Sequence, residues 1–148
     1  MIWRPSVTVA AVIERDGRFL LVEEEADGER VYNQPAGHWE PGETLPEACA
    51  REVLEESAYG FEPRQLVGVY RWTAPGNGVT YLRFAFSGVT TGFDADRKLD
   101  QGILRAAWFA PDEIRALAPR HRSPLVGRCI DDYLAGKRYP LELITHFA

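Results

Sequence analysis

Cysteine is nearly absent: Cys49 and Cys129 are the only two in 148 residues. Two thiols, neither at a metal-ligand spacing, exclude a disulfide framework and a thiolate metal site. Basic residues are also in the minority, 17 against 22 acidic, for a net charge of −5. With no basic stripe to release counterions, a nucleic-acid polymer is excluded as a partner. No run approaches about 18 consecutive apolar residues, so no membrane span and no membrane partner are expected. The N-terminus lacks a charged segment followed by an apolar stretch, so no signal peptide is expected and the cytoplasm is the expected compartment. Internal repeats, low-complexity tracts and linkers are missing, which makes one domain over 1–148 the expectation. No Ser-His or Cys-His arrangement and no Walker-type loop is present.

What the chain does carry is an array of carboxylates behind a Gly/Pro-rich loop. Gly37-His38-Trp39-Glu40-Pro41-Gly42-Glu43 is followed, seven residues on, by Arg51-Glu52-Val53-Leu54-Glu55-Glu56. Glu52, Glu55 and Glu56 stand at i, i+3 and i+4, and on a helix they share an arc of roughly 100°. Cys49, Ala50, Val53 and Leu54 fall on the opposite flank, which is expected to be the buried one. Like charges at this spacing repel by roughly 0.2–0.5 kcal/mol per pair. A hard divalent cation relieves that repulsion, since Mg²⁺ takes oxygen ligands and bridges carboxylates to phosphates. Glu-x-x-Glu-Glu alone is better explained as a solvated acidic helix face. It does not explain the whole pattern: six fixed identities at frequencies of roughly 7% coincide about once in 10⁷ start positions.

Gly37, Glu43, Arg51, Glu52, Glu55 and Glu56, with Val53 and Tyr59 at bulky positions, resemble the Nudix box, the signature of hydrolases acting on nucleoside diphosphates linked to another group. One position departs: Ala58 stands where the family has Gly after the helix, and Gly60 is expected to take over the helix exit. The resemblance implies an α/β/α sandwich and a Mg²⁺ site, with Mn²⁺ as the alternative ion. It also implies that Glu52, Glu55 and Glu56 ligate the metal together with the main-chain carbonyl of Ala36. Arg51 is implied to hold the box glutamates, and Glu43 to orient the loop or a metal-bound water. An acid outside the box often completes such sites; Asp100 is the candidate, with Asp94 and Asp96 as competitors. The segments 5–10, 33–38, 65–75, 122–126 and 137–142 are similar to a phosphatase branch of the family. That branch implies hydrolysis of nucleoside tri- and diphosphates and of thiamine-type pyrophosphates. ADP-sugar or dinucleotide polyphosphate hydrolysis is the second enzyme reading, and a non-catalytic nucleotide sensor is the third. A sensor would be expected to lose box carboxylates, and all are present.

The order of elements agrees with that fold. Strands are expected at 7–14 and 18–24 around the Asp16-Gly17 turn, then near 31–34, before a loop at 35–42. A helix is expected at 45–57, capped by Thr44 and Glu47 with Pro46 in its first turn. Strands at 65–72 and 80–88, a surface loop at 93–102, a strand at 106–109 and a helix at 111–117 follow. A last helix is framed by Ser123 as N-cap, Pro124 at its first position and Gly136 at its end. The sum is an α+β fold with a mixed sheet between helices.

Around this frame, Arg51 has i,i+4 neighbours in Glu47 and Glu55, so a structural ion-pair network competes with direct phosphate contact. Tyr32, Trp72 and Trp3 are the aromatic candidates for stacking a base or thiamine-type ring. Arg71, Arg83 and Arg122 are the candidates for substrate phosphates. Each of these is also an ordinary core or surface residue in the plainer reading. So is His38 as a base, and Cys49 is expected to be a small core residue. The partner expected is a small phosphorylated substrate. A monomer is the expected state, with a homodimer as the alternative.

Overall fold

Small and β-branched apolar residues make Ser6–Val12 a strand whose two faces are buried in different cores. The computed structural model describes residues 1–147, and the elements named here are those among them. In chain order they are β1 (Ser6–Val12), β2 (Glu14–Arg15), β3 (Arg18–Ala26), β4 (Glu29–Asn33), β5 (Ala36–His38) and α1 (Leu45–Ser57). Then come β6 (Tyr59–Thr73), β7 (Thr80–Phe93), β8 (Ile103–Phe109), α2 (Pro111–Ala116), α3 (Leu125–Leu134) and β9 (Tyr139–Pro140). On one face, Leu45, Ala48, Cys49 and Val53 of α1 pack with Val9, Ala11, Leu66 and Phe86. On the other, Ile114 of α2 and Cys129 and Ile130 of α3 pack with Val12, Phe19, Val67 and Ala85. Helices thus cover both faces of the strands, as expected.

The middle layer is two sheets rather than one. A five-stranded sheet runs β5-β1-β7-β6-β9, with β1 parallel to β7 and its other pairs antiparallel. A four-stranded sheet holds β2, β3 and β4, with β8 on the other edge of β3. A strand has only two edges, and β1 spends both on β7 and β5, so β3 must begin a second sheet. The hairpin turn between β2 and β3 puts both Asp16 and Gly17 at positive φ, 51° and 78°, the type I′ geometry that the Asp-Gly pair favours.

Strands exceed their expected lengths, because β6 and β7 stay paired from Tyr59–Phe93 to Thr73–Thr80. Two local expectations need correction. Within the loop expected at 35–42, Ala36–His38 is a short edge strand on β1. Ser123 does not cap α3 directly: Pro124 is the N-cap, and the Ser123 hydroxyl accepts from the Leu125 N–H at 3.2 Å.

Helix α1 forms over the expected residues with its capping box intact, Thr44 Oγ1 accepting from Glu47 N and Glu47 Oε1 from Thr44 N. Its exit is not shifted to Gly60. Ala58 itself adopts the left-handed conformation, φ 65° and ψ 7°, while its N–H donates to Leu54 O at 3.0 Å. Left-handed backbone costs a residue with Cβ about 1–2 kcal/mol. The Ala58 methyl is buried, and losing it costs about 0.8 kcal/mol. Strain is the larger quantity, so Ala58→Gly should stabilise the fold by up to about 1 kcal/mol. Urea denaturation checks this; a lower midpoint at unchanged slope would show that the methyl wins.

Candidate active site

The site begins with the rotation of α1. Its buried residues are Leu45, Ala48, Cys49, Glu52, Val53, Glu56 and Ser57, while Ala50 and Leu54 are only half-buried. The expected division into one apolar flank and one exposed carboxylate flank is therefore corrected. Glu52 and Glu56 are each 9% exposed and face β5, whereas Glu55 stays half-buried. The reason lies at the sheet edge. Glu56 Oε1 accepts from the main-chain N–H of Ala36 at 2.9 Å. The Glu52 carboxylate lies against Gly37 where a Cβ would otherwise stand, so any larger residue at Gly37 would overlap it.

Arg51 gathers the rest. It grips Glu43 with Nε and Nη2, at 3.0 and 2.8 Å, and reaches Glu52 and Glu55 with Nη1, at 2.8 and 2.9 Å. Nη2 also donates to the carbonyl of His38 at 2.9 Å. The expected pair with Glu47 does not form, because Glu47 is engaged in the helix cap. Glu43 accepts from the Glu40 N–H at 2.9 Å, which pins the loop. Asp100 is brought beside the box, its N–H donating to Glu55 O at 3.0 Å. Asp94 and Asp96 stay in an exposed turn of their own.

One guanidinium thus faces Glu43, Glu52 and Glu55, while Glu56 has no cation beside it among the described residues. Burial, then the charges of Glu52, Glu24 and Asp100, push the Glu56 carboxyl up to about 8, against the lowering effect of the Ala36 N–H. Burial also raises Glu52, with Arg51 opposing. Asp100 is raised by partial desolvation and by Glu55, although its loop is exposed. Glu43 is held low by its hydrogen bond to Arg51. Among the described residues no three acidic, imidazole or thiol side chains converge in metal-ligand geometry. Arg51 draws Glu52 and Glu55 to itself, and the Ala36 amide holds Glu56. The donor set itself is all oxygen and short of positive charge, which is the chemistry that suits a hard divalent cation.

Glu52, Glu56, Ala36, Gly37 and His38 line one side of a cavity of about 1880 Å³. Arg30, Arg83, Arg122 and Arg128 line it elsewhere, and Trp72 and Tyr81 close it as a stacked pair 6.0 Å apart. A wide cleft with acidic and basic walls and an aromatic end can bind an anion that carries a ring.

A NUDIX domain model matches residues 3–126. The chain belongs to the Nudix family. It is 41% identical to phosphatase NudJ of Escherichia coli K12 over 145 residues, covering 98% of this chain and 94% of that protein. A NUDIX hydrolase from Nitrosomonas europaea of known structure is 59% identical, with a TM-score of 0.96 and 97% and 98% of the two chains covered. A MutT NUDIX hydrolase from Burkholderia pseudomallei, 23% identical, shares the fold with a TM-score of 0.74 over 88% of this chain and 98% of that one. The chain is a Nudix hydrolase similar to NudJ, and α1 is its Nudix helix.

Against that frame, several expected substrate residues fall elsewhere. Tyr32 is a core residue, 6% exposed and edge-on to Phe109, and it does not line the cavity. Arg71 does not line the cavity but a smaller cleft with Asp132 and Lys137. Trp3 is exposed near the N-terminus and does not line the cavity. Trp72, Arg83 and Arg122 do line it, although Arg122 is already paired with Glu24 at 2.6 Å. His38 lines the rim and meets Ser6 Oγ at 3.1 Å. Cys49 is buried core, with Sγ 3.5 Å from Ala10 O. Glu24 and Tyr81 were not legible as site residues. Glu24 sits in the run Glu23-Glu24-Glu25, of which both Glu23 and Glu24 are buried, and nothing local separates them from Glu25.

Two outcomes follow from this geometry. Gly37→Ala should displace Glu52 and lower turnover on the order of 10²-fold while melting stays close to wild type. Retained turnover would mean that Glu52 need not sit against β5. The metal-free protein should show an inverse pH dependence. A carboxyl raised from 4.5 to about 8 stabilises the fold in its protonated form, so that stability is present at low pH and lost as pH rises through about 8. Melting in EDTA should fall between about pH 5 and pH 8.5, and Glu56→Gln should flatten the fall and melt higher at pH 8.5. A wild-type curve that rises with pH in that window would contradict the burial of Glu56.

Proposed function

We propose that this Nudix hydrolase, acting as one domain, cleaves phosphoanhydride bonds of small phosphorylated substrates with the aid of Mg²⁺. Nucleoside tri- and diphosphates and thiamine-type pyrophosphates are the substrates we assign, in line with its similarity to a phosphatase over nearly the full chain. The observation that carries the reading is one cavity with buried Glu52 and Glu56 on one wall and arginines on another. A phosphate chain can lie against the acidic wall of such a space only if that wall carries a cation.

Glu52, Glu55, Glu56 and the carbonyl of Ala36 are the groups we assign to hold Mg²⁺, or Mn²⁺ in its place. When bound, the ion supplies positive charge against phosphate oxygens and makes a coordinated water acidic enough to attack at neutral pH. The chain's own residues do the rest. Arg51 acts as a positioning residue, keeping the Glu52 and Glu55 carboxylates oriented and tying Glu43 to the loop. Glu43 holds the loop through the Glu40 N–H. Asp100, beside Glu55 and with a raised carboxyl, is the acid outside the box that takes up a proton. Trp72, stacked on Tyr81, offers a ring face that discriminates weakly between bases, consistent with several substrates. Arg122 gives only Nη1 to Glu24, which leaves its remaining N–H donors for a phosphate.

Glu55→Gln and Glu56→Gln should each lower Mg²⁺-dependent turnover by about 10²–10⁴-fold without unfolding the chain. The panel to use is nucleoside tri- and diphosphates, thiamine-type pyrophosphates, ADP-ribose and diadenosine polyphosphates, with products identified. Near-normal turnover in both variants would overturn the site assignment, and cleavage of ADP-ribose alone would overturn the substrate class.

A further inference from the structure

We propose that Arg83 is a seat for a substrate phosphate, built so that its charge reaches the cavity uncancelled by a carboxylate of any described residue. This deepens the functional reading above and rests on it for the identity of the anion. Arg83 is 6% exposed, yet among the described residues no carboxylate lies within 4.0 Å of its guanidinium. The other arginines lining the cavity contrast with it. Arg30 pairs with Glu23, Arg115 with Asp112, Arg122 with Glu24 and Arg128 with Asp132, while Arg120 is exposed.

Neutral groups hold Arg83 instead. Nη1 donates to Gln34 Oε1 at 2.9 Å and Nη2 to Asn33 Oδ1 at 2.9 Å, with Cys129 Sγ at 3.9 Å from Nη1. The Gln34 amide cannot turn round, because its Nε2 donates to Val126 O at 2.8 Å. Amide oxygens orient a guanidinium without neutralising it, whereas a carboxylate would do both. Burying a cation without a counter-charge is costly, and an anion arriving in the cavity would relieve that cost.

The register says where that anion lies. Arg83 stands opposite Thr8 of β1, and Thr8 opposite His38 of β5. Arg83 is therefore two strands, about 10 Å of backbone spacing, from the β5 edge over which Glu52 and Glu56 reach from α1 on the other face of the sheet. Two residues back along β7, on the same face, Tyr81 carries the stacked Trp72. Across the cavity the order is carboxylates, Arg83, aromatic pair. A molecule with a ring at one end and a phosphate chain at the other would put a phosphate on Arg83 between its reacting end and its ring.

The test uses Arg83→Gln and Arg83→Lys with two readouts. In the first, steady-state hydrolysis of ADP and ATP with Mg²⁺, Arg83→Gln should raise KM about 10–100-fold with kcat little changed, and Arg83→Lys should be intermediate. In the second, inorganic pyrophosphate in EDTA at low ionic strength should raise the melting temperature of the wild type and not that of Arg83→Gln. If Arg83→Gln does not fold, Arg83→Lys decides: a raised KM supports the seat, and an unchanged KM overturns it. A lowered melting temperature with unchanged KM would make Arg83 a brace for Asn33 and Gln34 and sink the proposal. So would no pyrophosphate shift in the wild type. A wild type that hydrolyses nothing on the panel would instead defeat the functional reading, and the pyrophosphate arm would still judge the seat.

Discussion

The guanidinium of Arg51 is the contact on which the acidic site depends. It binds Glu43 in two-pronged fashion, bridges Glu52 and Glu55, and bonds the carbonyl of His38. One cation thereby joins the loop, the edge strand β5 and helix α1. Without it, carboxylates at i, i+3 and i+4 would repel and their rotamers would scatter. Its planar, forked geometry is what allows one side chain to serve several acceptors, which a lysine ammonium could not do in the same plane. Arg51 answers for only part of the negative charge, and Glu56 remains buried beside an N–H dipole alone.

Packing explains why that charge is tolerated and where it faces. The apolar stripe of α1 sinks into the layer formed by β1, β6 and β7, and this turns Glu52 and Glu56 inward over the edge of the five-stranded sheet. Gly37 makes room for Glu52 there. The second sheet, begun by β3, supplies the far wall of the cavity with Glu24, Arg30 and Val31. A site between two sheets can hold acidic and basic groups on separate walls, close enough to act on one ligand without neutralising each other directly.

How much of this was legible in the sequence varied with the range of the interaction. The Nudix helix, its capping box and the Asp16-Gly17 turn rest on contacts a few residues apart, and they form over the residues expected. Ala58 shows a limit even there. The left-handed exit was read as needing glycine, but the hydrogen bond to Leu54 and the start of β6 hold alanine in that conformation. Tyr32 and Arg83 mark the opposite limit. Both lie on strands with ambiguous surroundings; one became core against Phe109 and the other the floor of the cavity. Gln34 beside Arg83 and Phe109 beside Tyr32 come from 49 and 77 residues away, so no local pattern distinguishes them.

By itself the sequence determined the acidic unit: which glutamates stand together, which arginine sits among them, and which glycine precedes them. Those facts follow from helical periodicity and short loops, whose geometry is local. Tertiary structure alone decided that two of the glutamates are buried, that Asp100 comes to the box and that Arg83 has no carboxylate beside it among the described residues. Charge environments of this kind are set by the sum of groups arriving from distant segments, and that sum exists only once the sheets and helices have packed.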